Sequence, residues 1–164
     1  SATVSLNGTT KVQDCIGYRL PTEAEWEFAA GSGYYEPYDD FRPFFLGDIT
    51  AFDCDVDPVL DQIGWYCGNS FSGTQLKTYP VSIKRATDWG IYDMYGNVAE
   101  WVWDSYTEIL EDSTDPAIDG SNLKVVRGGS FQSSSQGCRT AARKKYPASN
   151  RSSTIGFRIA ITID

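Results

Sequence analysis

Gly17-Tyr-Arg-Leu-Pro-Thr-Glu-Ala-Glu-Trp-Glu-Phe-Ala-Ala30 and Gly90-Ile-Tyr-Asp-Met-Tyr-Gly-Asn-Val-Ala-Glu-Trp-Val-Trp-Asp104 are the two stretches on which the fold turns. In the first, Thr22 is followed three residues later by Glu25, with Pro21 before it and Gly31 after the run. This capping-box pattern predicts a helix over 22–30. Trp26 with Ala30, or Ala24 with Phe28, then stack at helical spacing and face the core. The second stretch supplies β-branched and aromatic residues between turn residues, which predicts short strands at 91–93 and 99–103. The same pattern recurs at 124–128 and 157–163, enough for a small, mostly antiparallel sheet. Between 32 and 82 the chain is full of Gly, Pro, Asp and Tyr without a sustained period, so long loops are expected there. No repeat, linker or low-complexity tract interrupts residues 1–164, and one domain is the economical reading.

Composition narrows the function. With 164 residues, 41% hydrophobic and 22% charged, the chain is long enough to bury about 70% of its unfolded surface. A net charge of −8 repels a phosphate backbone, so no nucleic-acid partner is expected. Histidine is absent, which removes Ser-His and Cys-His nucleophile pairs and the usual zinc and copper sites. No run approaches the roughly 20 apolar residues of a membrane span. Cys54 and Cys67, 13 positions apart in a loop-rich stretch, read first as a disulfide, contributing about 3 kcal/mol on the loop-entropy model. A disulfide implies an oxidising compartment, periplasmic or extracellular. The alternative is four reduced, buried cysteines in the cytosol. Cys15 and Cys138 pair with each other or with a further segment in the disulfide reading.

Two later segments, Val126-Arg-Gly-Gly-Ser-Phe131 and Ile155-Gly-Phe-Arg158, complete an ordered set of four. In that order the segments resemble the formylglycine-generating enzyme, or sulfatase-modifying factor, family, from about Cys15 to the end. The resemblance implies an α+β fold, a variant of the C-type lectin fold with little regular secondary structure. It also implies an N-terminal portion ahead of Arg19-Leu-Pro-Thr-Glu23, so the chain reads as processed or fragmentary, held to a partner subunit that supplies the missing strands. A structural calcium ion would sit at Gly96-Asn-Val-Ala-Glu100, with oxygen donors from Asn97, Val98 and Glu100. The competing reading of this turn is a left-handed Asn97 with Glu100 solvated or paired to an arginine. A second family calcium site would use Asn69 and Ser70, yet 71–78 carries no carboxylate. Upstream, Asp53, Asp55, Asp57 and Asp61 read as a solvated acidic loop.

The resemblance implies a pair of copper(I)-binding cysteines after Ser130, soft thiolates being what copper(I) requires. Here 132–137 reads Gln-Ser-Ser-Ser-Gln-Gly and Cys138 stands alone. No copper is expected, and no generation of formylglycine. Short polar runs lie instead between Cys138-Arg139, Arg143, Pro147, Arg151 and Gly156-Phe157-Arg158. That layout is similar to the ligand-binding face of lectin-fold variable proteins diversified by retroelements. The candidate face comprises Ser130, Gln132, Ser133, Ser134, Ser135, Gln136, Lys144, Lys145, Tyr146, Ser152, Ser153 and Thr154, against the alternative of an ordinary polar surface. The C-terminal arginines are expected mainly to pair with acidic residues of the first half and lock loops together. The chain is thus expected to be a non-catalytic binding or assembly module for a protein or glycan ligand. Two alternatives stand: an oxidoreductase of the same family completed by an absent segment, and a structural subunit of an envelope complex.

Overall fold

The computed structural model describes residues 11–33, 42–108 and 117–162. Helix α1 (Glu23–Ala30) starts where the capping box places it: Thr22 Oγ1 accepts the Glu25 N–H at 3.1 Å, and Glu25 Oε2 accepts the Thr22 N–H at 2.8 Å. Burial alone would raise Glu25, but the Arg19 guanidinium and the cap N–H outweigh it and hold the carboxyl below its ordinary range. Thr22 is itself fully buried. Thr22→Ala removes one satisfied helix donor and is expected to cost about 1 kcal/mol, read as a lowered urea midpoint. Of the two proposed core stripes, Trp26 and Ala30 are the buried one, while Phe28 is exposed and meets Trp89 edge-on at 4.9 Å.

The strands are short: β1 (Gly17–Arg19), β2 (Gly64–Trp65), β3 (Phe71–Ser72), β4 (Gln75–Leu76), β5 (Tyr95–Gly96), β6 (Ala99–Ser105), β7 (Leu123–Arg127), β8 (Arg143–Pro147), β9 (Ile155–Phe157) and β10 (Ala160–Thr162), with a one-turn helix α2 (Leu60–Ile63) before β2. Four of them form the main sheet in the order β8-β7-β6-β9, antiparallel except for the parallel β6–β9 pair. β1 and β10 pair separately and antiparallel. Residues 91–93 are not a strand: Thr87 and Ile91 close a turn through Gly90, and Asp93 has φ 58°, a left-handed conformation that breaks extension.

Along β6, Glu100, Val102 and Asp104 are buried, while Trp101 and Trp103 are half-exposed. The inward side of β6 and β7 receives α1. Trp26, Phe44, Leu60, Ile63, Tyr66, Met94, Tyr95, Val102 and Val125 make the core. Within it the Tyr95 hydroxyl donates to Ala30 O at 2.7 Å and accepts the Phe45 N–H at 3.2 Å, so a buried polar group is fully used. Among the described residues no helix is long and apolar enough to cross a membrane.

Candidate ligand-binding face

A buried ion network supports the face from below. Arg127, on β7 and fully buried, donates to Glu23 Oε1 at 3.0 Å, to Glu27 and to Thr140 O at 2.8 Å. Arg143, on β8, forks onto the same Glu23 carboxylate at 2.6 and 2.8 Å and reaches Thr107 O. Two strands are thereby tied to the first turn of α1, as expected for internally paired arginines. Asp104 accepts the Glu23 N–H at 2.7 Å and the Ile118 N–H at 2.8 Å, yet burial still pushes its carboxyl up.

The chain then turns at Gly128 and Gly129, with φ 85° and 69°. A side chain at Gly129 would lie 2.6 Å from Cys138 Sγ, so glycine is required for this close approach. The loop that follows is closed by its own serines. Ser133 Oγ accepts the Ser130 N–H at 3.0 Å, and Ser130 O accepts the Ser133 N–H at 2.8 Å. Ser135 donates its N–H to Asp53 O at 2.9 Å and its hydroxyl to Ala51 O at 3.3 Å. Cys67 N–H donates to Ser133 O at 3.0 Å and Asp53 N–H to Gln136 Oε1 at 3.0 Å. The Cys54–Cys67 disulfide therefore sits in the segment that holds the 130–138 loop.

These bonds divide the twelve predicted face residues. Ser130, Ser133 and Ser135 are buried frame, which corrects their assignment to the surface. Gln132 is exposed, and Ser134 and Gln136 are half-exposed beside it. Lys144 joins this patch, its Nζ 3.4 Å from Ser133 Oγ. Lys144 pairs across Val126 with Trp101, and Tyr146 packs edge-on to Trp101 with centroids 6.4 Å apart, so all three lie on the outer face of the sheet. Lys145 alternates to the other face, over the Tyr106 ring at 4.5 Å. Ser152, Ser153 and Thr154 lead into β9, at the sheet edge opposite β8. Three strand spacings separate those edges, about 14 Å, so these residues form a second, separate patch. Trp101 and Trp103 belong to the outer face, though sequence reading treated them only as strand residues. The alternation in Glu-Trp-Val-Trp-Asp was the signal that could have found them.

The predicted calcium donors are arranged as a hydrogen-bonded brace. Glu100 receives Trp26 Nε1 at 2.7 Å and, in a fork, Arg158 Nε at 2.5 Å and Nη2 at 2.7 Å. Asn97, at φ 58°, exchanges two side-chain hydrogen bonds of 3.1 Å with the backbone of Tyr79. The Val98 side chain lies against Gly156. Asn69 accepts the Tyr66 N–H and donates to Asp61 and Gly64 O, while buried Ser70 donates to Phe131 O and its carbonyl accepts the Lys77 N–H. This donor set does not fit calcium as arranged: an ion would have to displace Arg158 from Glu100 and Tyr79 from Asn97. The cation at Glu100 is the chain's own arginine.

The acidic loop likewise disperses. Burial would raise Asp57, but the N–H groups of Leu60, Ala51, Thr50 and Val59 outweigh it and hold the carboxyl low. Asp61 turns to Asn69 and Lys84, and Asp53 and Asp55 face solvent. Copper(I) fits no better. Cys138 is fully buried, and burial pushes its thiol up to about 12. Its would-be partner position is held by committed serines, Cys54 and Cys67 are bonded to each other, and Cys15 lies before β1.

The description "Sulfatase-modifying factor enzyme 1-like domain" matches residues 2–163. The formylglycine-generating enzyme of Streptomyces coelicolor is 33% identical over 177 aligned residues, covering 98% of this chain and 52% of the enzyme. Chaperone protein LppX of Paenibacillus barcinonensis is 28% identical, covering 87% of this chain and 49% of its own length. Treponema denticola variable protein 1 superposes with a TM-score of 0.72 at 34% identity, over 90% of this chain and 49% of that one. PvdO from Pseudomonas aeruginosa gives a TM-score of 0.63 at 25% identity, over 87% and 51%. The chain thus spans about half the length of the relatives it matches. With four ordered motifs, the matching profile and the shared fold in agreement, the chain belongs to the sulfatase-modifying factor family, with its α+β, C-type-lectin-like architecture.

Proposed function

We propose that this chain is a non-catalytic binding module acting in a periplasmic or extracellular setting, with Gln132, Ser134, Gln136, Lys144, Trp101 and Tyr146 as its contact surface. One observation carries the reading: at the position of the family's thiol chemistry the sole cysteine is buried behind a loop closed by serine hydrogen bonds. What remains outward is a rigid platform of amide, ammonium and aromatic groups. Such groups suit a protein or glycan ligand, since aromatic rings give contact area and amides adapt their hydrogen bonds. The disulfide supports an oxidising compartment. Similarity to a protein named as variable and to one named as a chaperone supports a role in recognition over one in oxidation.

The test is a screen of immobilised glycans and proteins with the purified chain, repeated with Gln132→Ala, Lys144→Ala and Tyr146→Ala combined. Binding is expected to weaken about 100-fold or more, because truncating central contacts typically costs more than 1 kcal/mol each. The thermal midpoint should stay nearly unchanged. Equal binding by both proteins would overturn the proposal.

A further inference from the structure

The separate β1–β10 pair has its faces the wrong way round for a surface ribbon. Arg19 turns inward to Glu25 at 2.6 and 2.7 Å, Thr162 Oγ1 donates to Gln13 O at 2.8 Å, and Arg158 forks onto Glu100. The outward positions are apolar: Ile16 (69% exposed), Tyr18 (74%), Phe157 (67%), Ile159 (59%) and Ile161 (51%). Tyr18 stands directly opposite Ile161, so the side chains form one surface. At its end Phe157 also lines an open cleft of about 490 Å³ whose apolar walls include Val81, Tyr92 and Val98. An apolar two-stranded face in water is marginal alone, and an apolar patch of this kind marks an interaction site.

The length of the relatives indicates what covers it. The Streptomyces enzyme matches 98% of this chain with 52% of its own length, and the Treponema protein matches 90% with 49%. A body of polypeptide equal to this chain therefore accompanies the same domain in both. We infer that the Ile16, Tyr18, Ile161, Ile159 and Phe157 surface seats a polypeptide segment corresponding to that other half. The segment is extended, with apolar side chains at every second position, because the pleat of β1 and β10 repeats its own apolar side chains with period two. Its last apolar side chain enters the cleft beside Phe157. This surface differs from the Gln132 to Tyr146 platform, so either assignment can fail without the other.

A benzophenone amino acid placed at Tyr18 in the natively produced protein tests the inference, with the same probe at Gln132 as control. Position 18 is open to solvent, so the probe is compatible with folding. On irradiation, the cross-link from position 18 is expected to map by peptide sequencing to an alternating apolar stretch outside residues 1–164. It should be lost when Ile159→Thr and Ile161→Thr are added, and it should be absent from the control. A cross-link to a second copy of this chain, a cross-link within residues 1–164, or no cross-link at all would each overturn the inference.

Discussion

Arg127→Ala is expected to destabilise the fold by about 3–5 kcal/mol, a large part of the total stability of a domain this size. The guanidinium is fully buried, lies over the Trp26 ring at 5.2 Å, and holds Glu23, Glu27 and the Thr140 carbonyl. Removing it leaves the nearly buried Glu23 carboxylate with Arg143 alone and strips Thr140 O of this donor. Stranded charge, more than lost attraction, drives the penalty. Arg127→Lys should recover only part of it, since a single ammonium cannot reproduce two forked contacts and a stacked plane. Urea denaturation of the three proteins is the measurement. A loss below about 1 kcal/mol would place this network with weakly contributing surface pairs.

Reduction of Cys54–Cys67, or Cys54→Ser with Cys67→Ser, is expected to cost about 3 kcal/mol through the freed 13-residue separation. The same change should reach the proposed contact surface. Asp53 and Cys67 are hydrogen-bonded to Ser135, Gln136 and Ser133, so loosening the clip relaxes the loop that presents Gln132 and Ser134. Both the thermal midpoint and ligand retention should fall together on reduction. A fall in midpoint with unchanged retention would mean that the 130–138 loop holds its shape without the clip.

The fold was legible where its determinants are close in sequence. Thr22 and Glu25 announce α1 because their hydrogen bonds span three residues, and β6 and β7 carry their own apolar patterning. β8 was missed because Arg-Lys-Lys-Tyr-Pro has no apolar alternation; it is an edge strand whose charges also discourage pairing with another sheet. The face was harder. Ser130, Ser133 and Ser135 share a residue type with exposed Ser152 and Ser153, and only three-dimensional hydrogen bonding separates frame from surface. Asn97 and Glu100 suit calcium by chemistry, but the sequence does not reveal that Arg158 arrives from 58 residues away to occupy Glu100.

Loss of the family's thiol chemistry is the claim on which the functional reading rests, and a copper(I) titration against a competing chelator tests it most directly, on the non-reduced protein and on Cys138→Ser. A two-thiolate site would take up one equivalent tightly, with a sharp linear rise to the end point. The buried, protonated Cys138 predicts no such uptake and superimposable curves for the two proteins. One tight equivalent that disappears in Cys138→Ser would contradict the account and return the chain to the oxidoreductases of its family.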